Sequence, residues 1–135
     1  MTLTRLTPML RVADVQRSLA FYRDHLGFML VSPESALRDF RWAHIRRDGV
    51  DLMLAGGEGG PVRPPGATGA DWPVNFYFYP DDIESLHRAL GSRGVDVGTL
   101  RVTVYRMKEF SCLDPDGHLL TFGQDTNEPP TPDGD

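Results

Sequence analysis

Apolar and polar residues alternate with a period of two in TPMLRV (7–12) and again in NFYFYP (75–80), the spacing of a strand with one buried face. Each stretch is followed by an aspartate and then by apolar residues three and four apart, in VQRSLAFYRDHLG (15–27) and IESLHRALGSRG (83–94). That spacing predicts two amphipathic helices. Asp14 and Asp82 stand where an N-cap accepts hydrogen bonds from otherwise orphaned amides, and Gly27 and Gly94 where a left-handed residue ends a helix. Hairpin signals follow at Asp48-Gly49 and Asp116-Gly117, each leading into a closing strand, VDLMLA (50–55) and HLLTFG (118–123).

These landmarks repeat at an offset of 68 residues, from Asp14 to Asp82 and from Asp48 to Asp116. Each half reads strand, helix, then two or three strands. The single helix of a half covers one face of its sheet, so the other face must meet a second sheet or curl around a ligand. Two such halves side by side predict an α+β fold: a curved mixed sheet around a cleft, with the helices outside. The expected organisation is one domain over residues 1–124, built from a first module at 1–55, a Gly/Pro-rich linker at 56–73 and a second module at 74–124. Residues 125–135 are polar, acidic and proline-rich, and are expected to form a disordered tail.

Alternation also assigns residues to faces. Leu10, Val12, Leu52, Leu54, Phe76, Phe78, Leu120 and Phe122 fall on the helix side. Thr7, Met9, Arg11, Asp51, Met53, Ala55, Asn75, Tyr77, Tyr79, Leu119, Thr121 and Gly123 fall on the open side. A one-residue bulge in any strand would invert its assignment. Trp42, Trp72 and Tyr105 add flat amphipathic surface, Met107 adaptable apolar contact, and Glu109 an oriented polar group. Tyr77 and Tyr79 serve equally well as sheet aromatics at a subunit interface, and Glu109 as the partner of an arginine. Of the four histidines, His25 and His87 fall on helices, His118 follows a turn, and the face of His44 is not fixed by the sequence.

Charge and cysteine content narrow the classes further. The formal net charge of -5 argues against nucleic acid as a partner, because phosphate binding needs a basic face, and mildly favours a neutral or cationic ligand. A single cysteine, Cys112, rules out an internal disulfide and reads as a small buried hydrophobe. MTLTRLTPML lacks a charged region followed by a long apolar run, so no signal peptide is expected, and no apolar segment approaches a membrane span. The expected location is the cytoplasm.

Three segments, LTPMLRVADVQRSLAFYRDHLGF (6–28), NFYFYPDDIESLHRAL (75–90) and MKEFSCLDPDGHLLTFG (107–123), together with WAHIRRDGVDLML (42–54), resemble the vicinal-oxygen-chelate superfamily of glyoxalases, bleomycin-resistance proteins and extradiol dioxygenases. The resemblance implies two βαβββ modules forming a cleft, often within a homodimer. It also implies that, in the metal enzymes, ligands stand on the first and last strand of each module. Here those positions hold Thr7, Met53, Asn75 and Thr121. None is a histidine or a carboxylate, the donors a divalent cation wants, so no metal and no cofactor are expected. Pro8, the aromatic strand of the second module and MKEFSCLDPDG are closest in look to the metal-free bleomycin-resistance proteins. The expectation is therefore a protein that sequesters a planar or aromatic small molecule, neutral or cationic. Its ligand would meet Thr7, Met9, Arg11, Trp42, Met53, Trp72, Asn75, Tyr77, Tyr79, Met107, Glu109 and Thr121. The open alternatives are a glyoxalase-like lyase, isomerase or dioxygenase with non-standard ligands or Glu109 as acid or base, and a regulatory sensor.

Overall fold

The computed structural model describes residues 1–57 and 72–132, so most of the expected Gly/Pro-rich linker and the last three residues lie outside the described residues. The elements follow in the order β1 (Met9–Val12), α1 (Val15–Leu26), β2 (Met29–Leu30), α2 (Glu34–Phe40), β3 (Trp42–Arg47), β4 (Val50–Gly56), β5 (Asn75–Phe78), α3 (Ile83–Ser92), β6 (Arg101–Val102), β7 (Met107–Leu113) and β8 (Leu119–Asp125). Hydrogen bonding groups the strands into two four-stranded mixed sheets, ordered β1-β4-β3-β2 and β5-β8-β7-β6. In each, the first strand runs parallel to the last and the remaining pairs are antiparallel. The sequence repeat is thus a repeat of sheet topology.

The chain forms two compact units, one holding the residues up to 57 with the turn at 115–117, the other holding 72–114 and 118–132. In the first unit, α1 packs on β2, β3 and β4. Its Val15, Leu19, Tyr22 and Leu26 are buried, as are Leu10, Val12, Ala43, Ile45, Leu52 and Leu54 on the sheet. Asp14 caps α1 by accepting from the amides of Gln16 and Arg17 at 3.0 and 3.2 Å, and Gly27 ends it at φ 72°. The turn residue Asp116, also buried, accepts from the amide of Ala13 at 2.8 Å and from Ser18 Oγ at 3.0 Å. In the second unit, α3 packs on β7 and β8, and the rings of Phe78, Phe122 and Phe110 stack in series at 5.2 and 5.1 Å. The edge of His87 closes that stack.

Three features depart from the sequence pattern. Helix α2 was not anticipated: ESALRDF is too short for a clear helical period, and a proline supplies its N-cap without a side-chain hydrogen bond. The first hairpin takes its left-handed residue at Asp48 (φ 50°), whereas the second takes it at Gly117 (φ 87°). The segment from 125, expected to be disordered, is held in place as far as it is described. Strand β8 runs through Asp125, the amide of Thr131 donates to Val102 O at 2.9 Å, and Val102 N donates to Thr131 Oγ1 at 2.8 Å. Glu128 accepts from Lys108 Nζ at 2.8 Å, and Lys108 also bridges to Glu84. Composition reads the polarity of this segment, but not the backbone groups of β6 that need partners.

Candidate functional site

Each sheet has a face turned away from its helix, and the two faces carry different chemistry. In the second unit the parallel pairing of β5 with β8 sets Asn75 beside Leu119 and Tyr77 beside Thr121, and the β7–β8 register adds Ser111 and Glu109 to that face. Thr121 is buried, and its hydroxyl donates to Asn75 Oδ1 at 2.7 Å. Ser111 Oγ, 2.9 Å away, then donates to Thr121. Asn75 and Thr121, expected to meet ligand, therefore spend their polar groups largely on each other.

Tyr77 is placed by what Gly123 lacks. A Cβ on Gly123 would lie 1.9 Å from Tyr77 Oη and 2.5 Å from Cζ, so the ring lies flat across this glycine. That position delivers the hydroxyl to Glu109 Oε2 at 2.7 Å. Tyr105, on the turn before β7, donates to the same carboxylate at 3.3 and 3.4 Å. Arg106, in the left-handed region at φ 68°, closes that turn, with the amide of Met107 donating to Thr103 Oγ1. The ring of Tyr79 lies 5.0 Å from that of Tyr77, and Tyr79 is 77% exposed. Burial, followed by the hydrogen bond to Glu109, pushes the Tyr77 phenol well above its ordinary range, and burial with the Glu109 charge raises Tyr105. Both phenols remain donors at neutral pH. The result is an aromatic surface around one carboxylate, with no ion pair joining Glu109 to a Lys or Arg among the described residues. Cys112 faces the other way, and burial pushes its thiol up to about 12, so it is no nucleophile at neutral pH.

In the first unit, Met9, Met53 and His44 are register partners on the open face, and Trp42 lies over Ala55. His44, unassigned by the sequence, thus falls on this face. Its Nε2 donates to Asp51 Oδ2 at 2.6 Å, while Arg46 grips both oxygens of Asp51 at 2.9 Å. The hydrogen bonds of Arg46, then that of His44, hold the Asp51 carboxyl well below the usual range. Sequence reasoning placed Asp51 on this face but missed the cluster, whose signal was alternation along WAHIRRDGVD. Thr7 is half-buried ahead of β1, Arg11 is exposed, and Trp72 is half-buried three residues before β5.

Of the twelve residues expected to meet ligand, the structure brings Asn75, Tyr77, Tyr79, Met107, Glu109 and Thr121 to one face of the second unit, and Met9, Arg11, Trp42 and Met53 to one face of the first. The superfamily's divalent-metal positions do not fit such an ion here. Two of the four side chains are hydrogen-bonded to each other, and the others are a hydroxyl and a thioether. Among the described residues, no three His, Cys, Asp or Glu side chains group closely enough to hold a metal. No helix among them is long and apolar enough to cross a membrane.

Comparison with known proteins agrees with this architecture. A bleomycin resistance protein of Geobacillus stearothermophilus is 28% identical over 126 residues, covering 87% of this chain and 93% of that protein. A crystal structure of a bleomycin-binding protein complexed with bleomycin superposes with a TM-score of 0.66 at 21% identity, covering 92% of this chain and all of that one (100%). The lactoylglutathione lyase of Agrobacterium tumefaciens superposes with a TM-score of 0.67 at 20% identity, covering 90% and 92%. At these identities the two structures attest the fold alone. The sequence profile of one family matches residues 4–122, and with the paired modules described above it establishes that the chain belongs to the Glyoxalase/Bleomycin resistance protein/Dioxygenase superfamily.

Proposed function

We propose that this protein is a small-molecule binder of the bleomycin-resistance type, which sequesters a planar or aromatic, cationic ligand without transforming it. The observation that carries the reading is the cluster of Tyr77, Tyr79 and Tyr105 around Glu109. Rings offset by about 5 Å suit stacking on a flat heterocycle, and a carboxylate that accepts from two phenols and forms no ion pair among the described residues suits a ligand with a cationic or donor group. The 28% identity to a bleomycin resistance protein over most of both chains supports the same class. The reading includes a cytoplasmic homodimer that confers resistance by holding a drug. A lyase of the metal-dependent kind is disfavoured by the donor set at Thr7, Met53, Asn75 and Thr121.

The test is a thermal-shift and calorimetric screen of cationic glycopeptide antibiotics, bleomycin among them, and of planar aromatics. For any ligand found, Tyr77→Ala and Tyr79→Ala should each weaken binding about tenfold, which is ~1.4 kcal/mol. Unchanged affinity in both variants sinks the assignment. Sedimentation at micromolar concentration giving one chain's mass alone sinks the dimer.

A further inference from the structure

The open face of the first unit holds a constellation that the tyrosine cluster around Glu109 does not involve. Met9 pairs with Met53 across β1 and β4, and His44 pairs with Met53 across β4 and β3. Three donor-bearing side chains therefore stand in a row on adjacent strands, with neighbouring Cβ atoms roughly 5 Å apart. Met9 is 60% exposed, and Met53 and His44 are half-buried. Methionine turns about three side-chain bonds, so two thioethers flanking one position can converge above it.

The histidine is already oriented. Its Nε2 carries the proton that it donates to Asp51, and Asp51 is fixed by both nitrogens of Arg46 that reach it. That leaves Nδ1 as the free lone pair of the neutral ring. Among the described residues Nδ1 has no hydrogen-bond partner, and it is not one of the buried unpartnered atoms, so it opens to solvent. A carboxylate behind an imidazole is the usual outer support of a metal-ligating histidine. The rings of Trp42 and His44 stand edge to face, with their centroids 6.4 Å apart.

We propose that Met9, Met53 and His44 form a binding site for a soft monovalent cation of the Cu(I) class, with Asp51 as the residue that positions His44. Two thioethers and one imidazole form a neutral, soft donor set. Such a set selects Cu(I) and discriminates against Zn(II), Mg(II) and Mn(II), which want thiolate, imidazole or oxygen. The same chemistry explains how Met53 stands at a position where it serves a divalent ion poorly.

The probe is Cu(I) itself, supplied anaerobically as its acetonitrile complex and competed against a chromophoric Cu(I) chelator. The expected result is one Cu(I) per chain, no comparable retention of Zn(II), and copper–nitrogen and copper–sulfur scattering in X-ray absorption. Met53→Leu and Met9→Leu preserve volume, so both should fold with unchanged melting temperature, and each should weaken Cu(I) binding at least tenfold. Asp51→Asn should weaken it about 10- to 100-fold while leaving the sulfur scattering in place. Cys112→Ser should bind as the parent does. The proposal is overturned if the parent chain releases all its Cu(I) to the chelator, if Met53→Leu retains parental affinity, or if Cys112→Ser is the variant that loses the metal. None of these outcomes depends on the aromatic face of the second unit, so a failure here leaves the ligand reading standing, and the converse holds.

Discussion

The two sheets share a strand order and a helix-side packing scheme, yet their open faces have diverged. The first presents Met9, Met53 and Trp42 beside the polar cluster of His44, Asp51 and Arg46. The second presents Tyr77, Tyr79 and Tyr105 around Glu109. The helix side of each repeat is tied to its role by close packing, where a lost methylene is felt. The open face is constrained in this way only locally, as where Tyr77 lies over Gly123 and Thr121 is buried, and it is there that the halves differ in charge, polarizability and hydrogen bonding. A duplicated scaffold of this kind offers two chemically separate surfaces on one architecture.

The largest effect expected from breaking the contrast is on stability. Phe122 is 3% exposed and stacked between Phe78 and Phe110, so Phe122→Ala should cost about 3–5 kcal/mol in chemical unfolding. Tyr79→Ala, on the open side and 77% exposed, should cost under about 0.5 kcal/mol. Equal losses would show that the open face is as tightly packed as the core.

A smaller effect comes from Gly123, which exists to admit the Tyr77 ring. Gly123→Ala should cost about 1–3 kcal/mol through overpacking and break the hydrogen bond to Glu109. Adding Tyr77→Ala should recover much of that loss, because the clash partner is gone. A double-mutant cycle with no coupling would place the ring elsewhere.

The helix caps should behave alike in the two repeats. Asp14 caps two amides, and Asp82 caps the amide and hydroxyl of Ser85. Asp14→Ala and Asp82→Ala should each cost about 1 kcal/mol. A loss in one repeat only would mean that the other helix is held by packing alone.

The smallest effects appear only on titration, and they separate the two faces by the limb of the pH profile on which each stabilisation is lost. Asp51 has a depressed folded pKa, so its stabilisation is present above the unfolded value of about 4 and is lost as pH falls through the folded value. Tyr77 has a raised folded pKa, so its stabilisation is present below the unfolded value of about 10 and is lost as pH rises toward the folded value. Asp51→Asn should therefore flatten the acid limb of the stability profile, and Tyr77→Phe the alkaline limb. Denaturant midpoints measured across pH check both, and a variant that alters the opposite limb contradicts the assignment.

The sequence by itself determined the fold class, the 68-residue repeat, the caps Asp14, Asp82 and Gly27, and the two faces of β1, β4, β5 and β8, though not the face of His44 on β3. These follow from local rules: a period of two or of 3.6, an aspartate at a helix start, a glycine at a left-handed position. Only the tertiary structure decided which side chains meet. The approach of Tyr77 to Glu109 spans 32 positions and depends on a missing Cβ at Gly123. The burial of Thr121 against Asn75 spans 46 positions, and the bond from Ser18 to Asp116 spans 98. The row of Met9, Met53 and His44 exists because β4 lies between β1 and β3. Strand order and register are set by loop closure and by packing summed over the whole sheet, and no single stretch of sequence carries that sum.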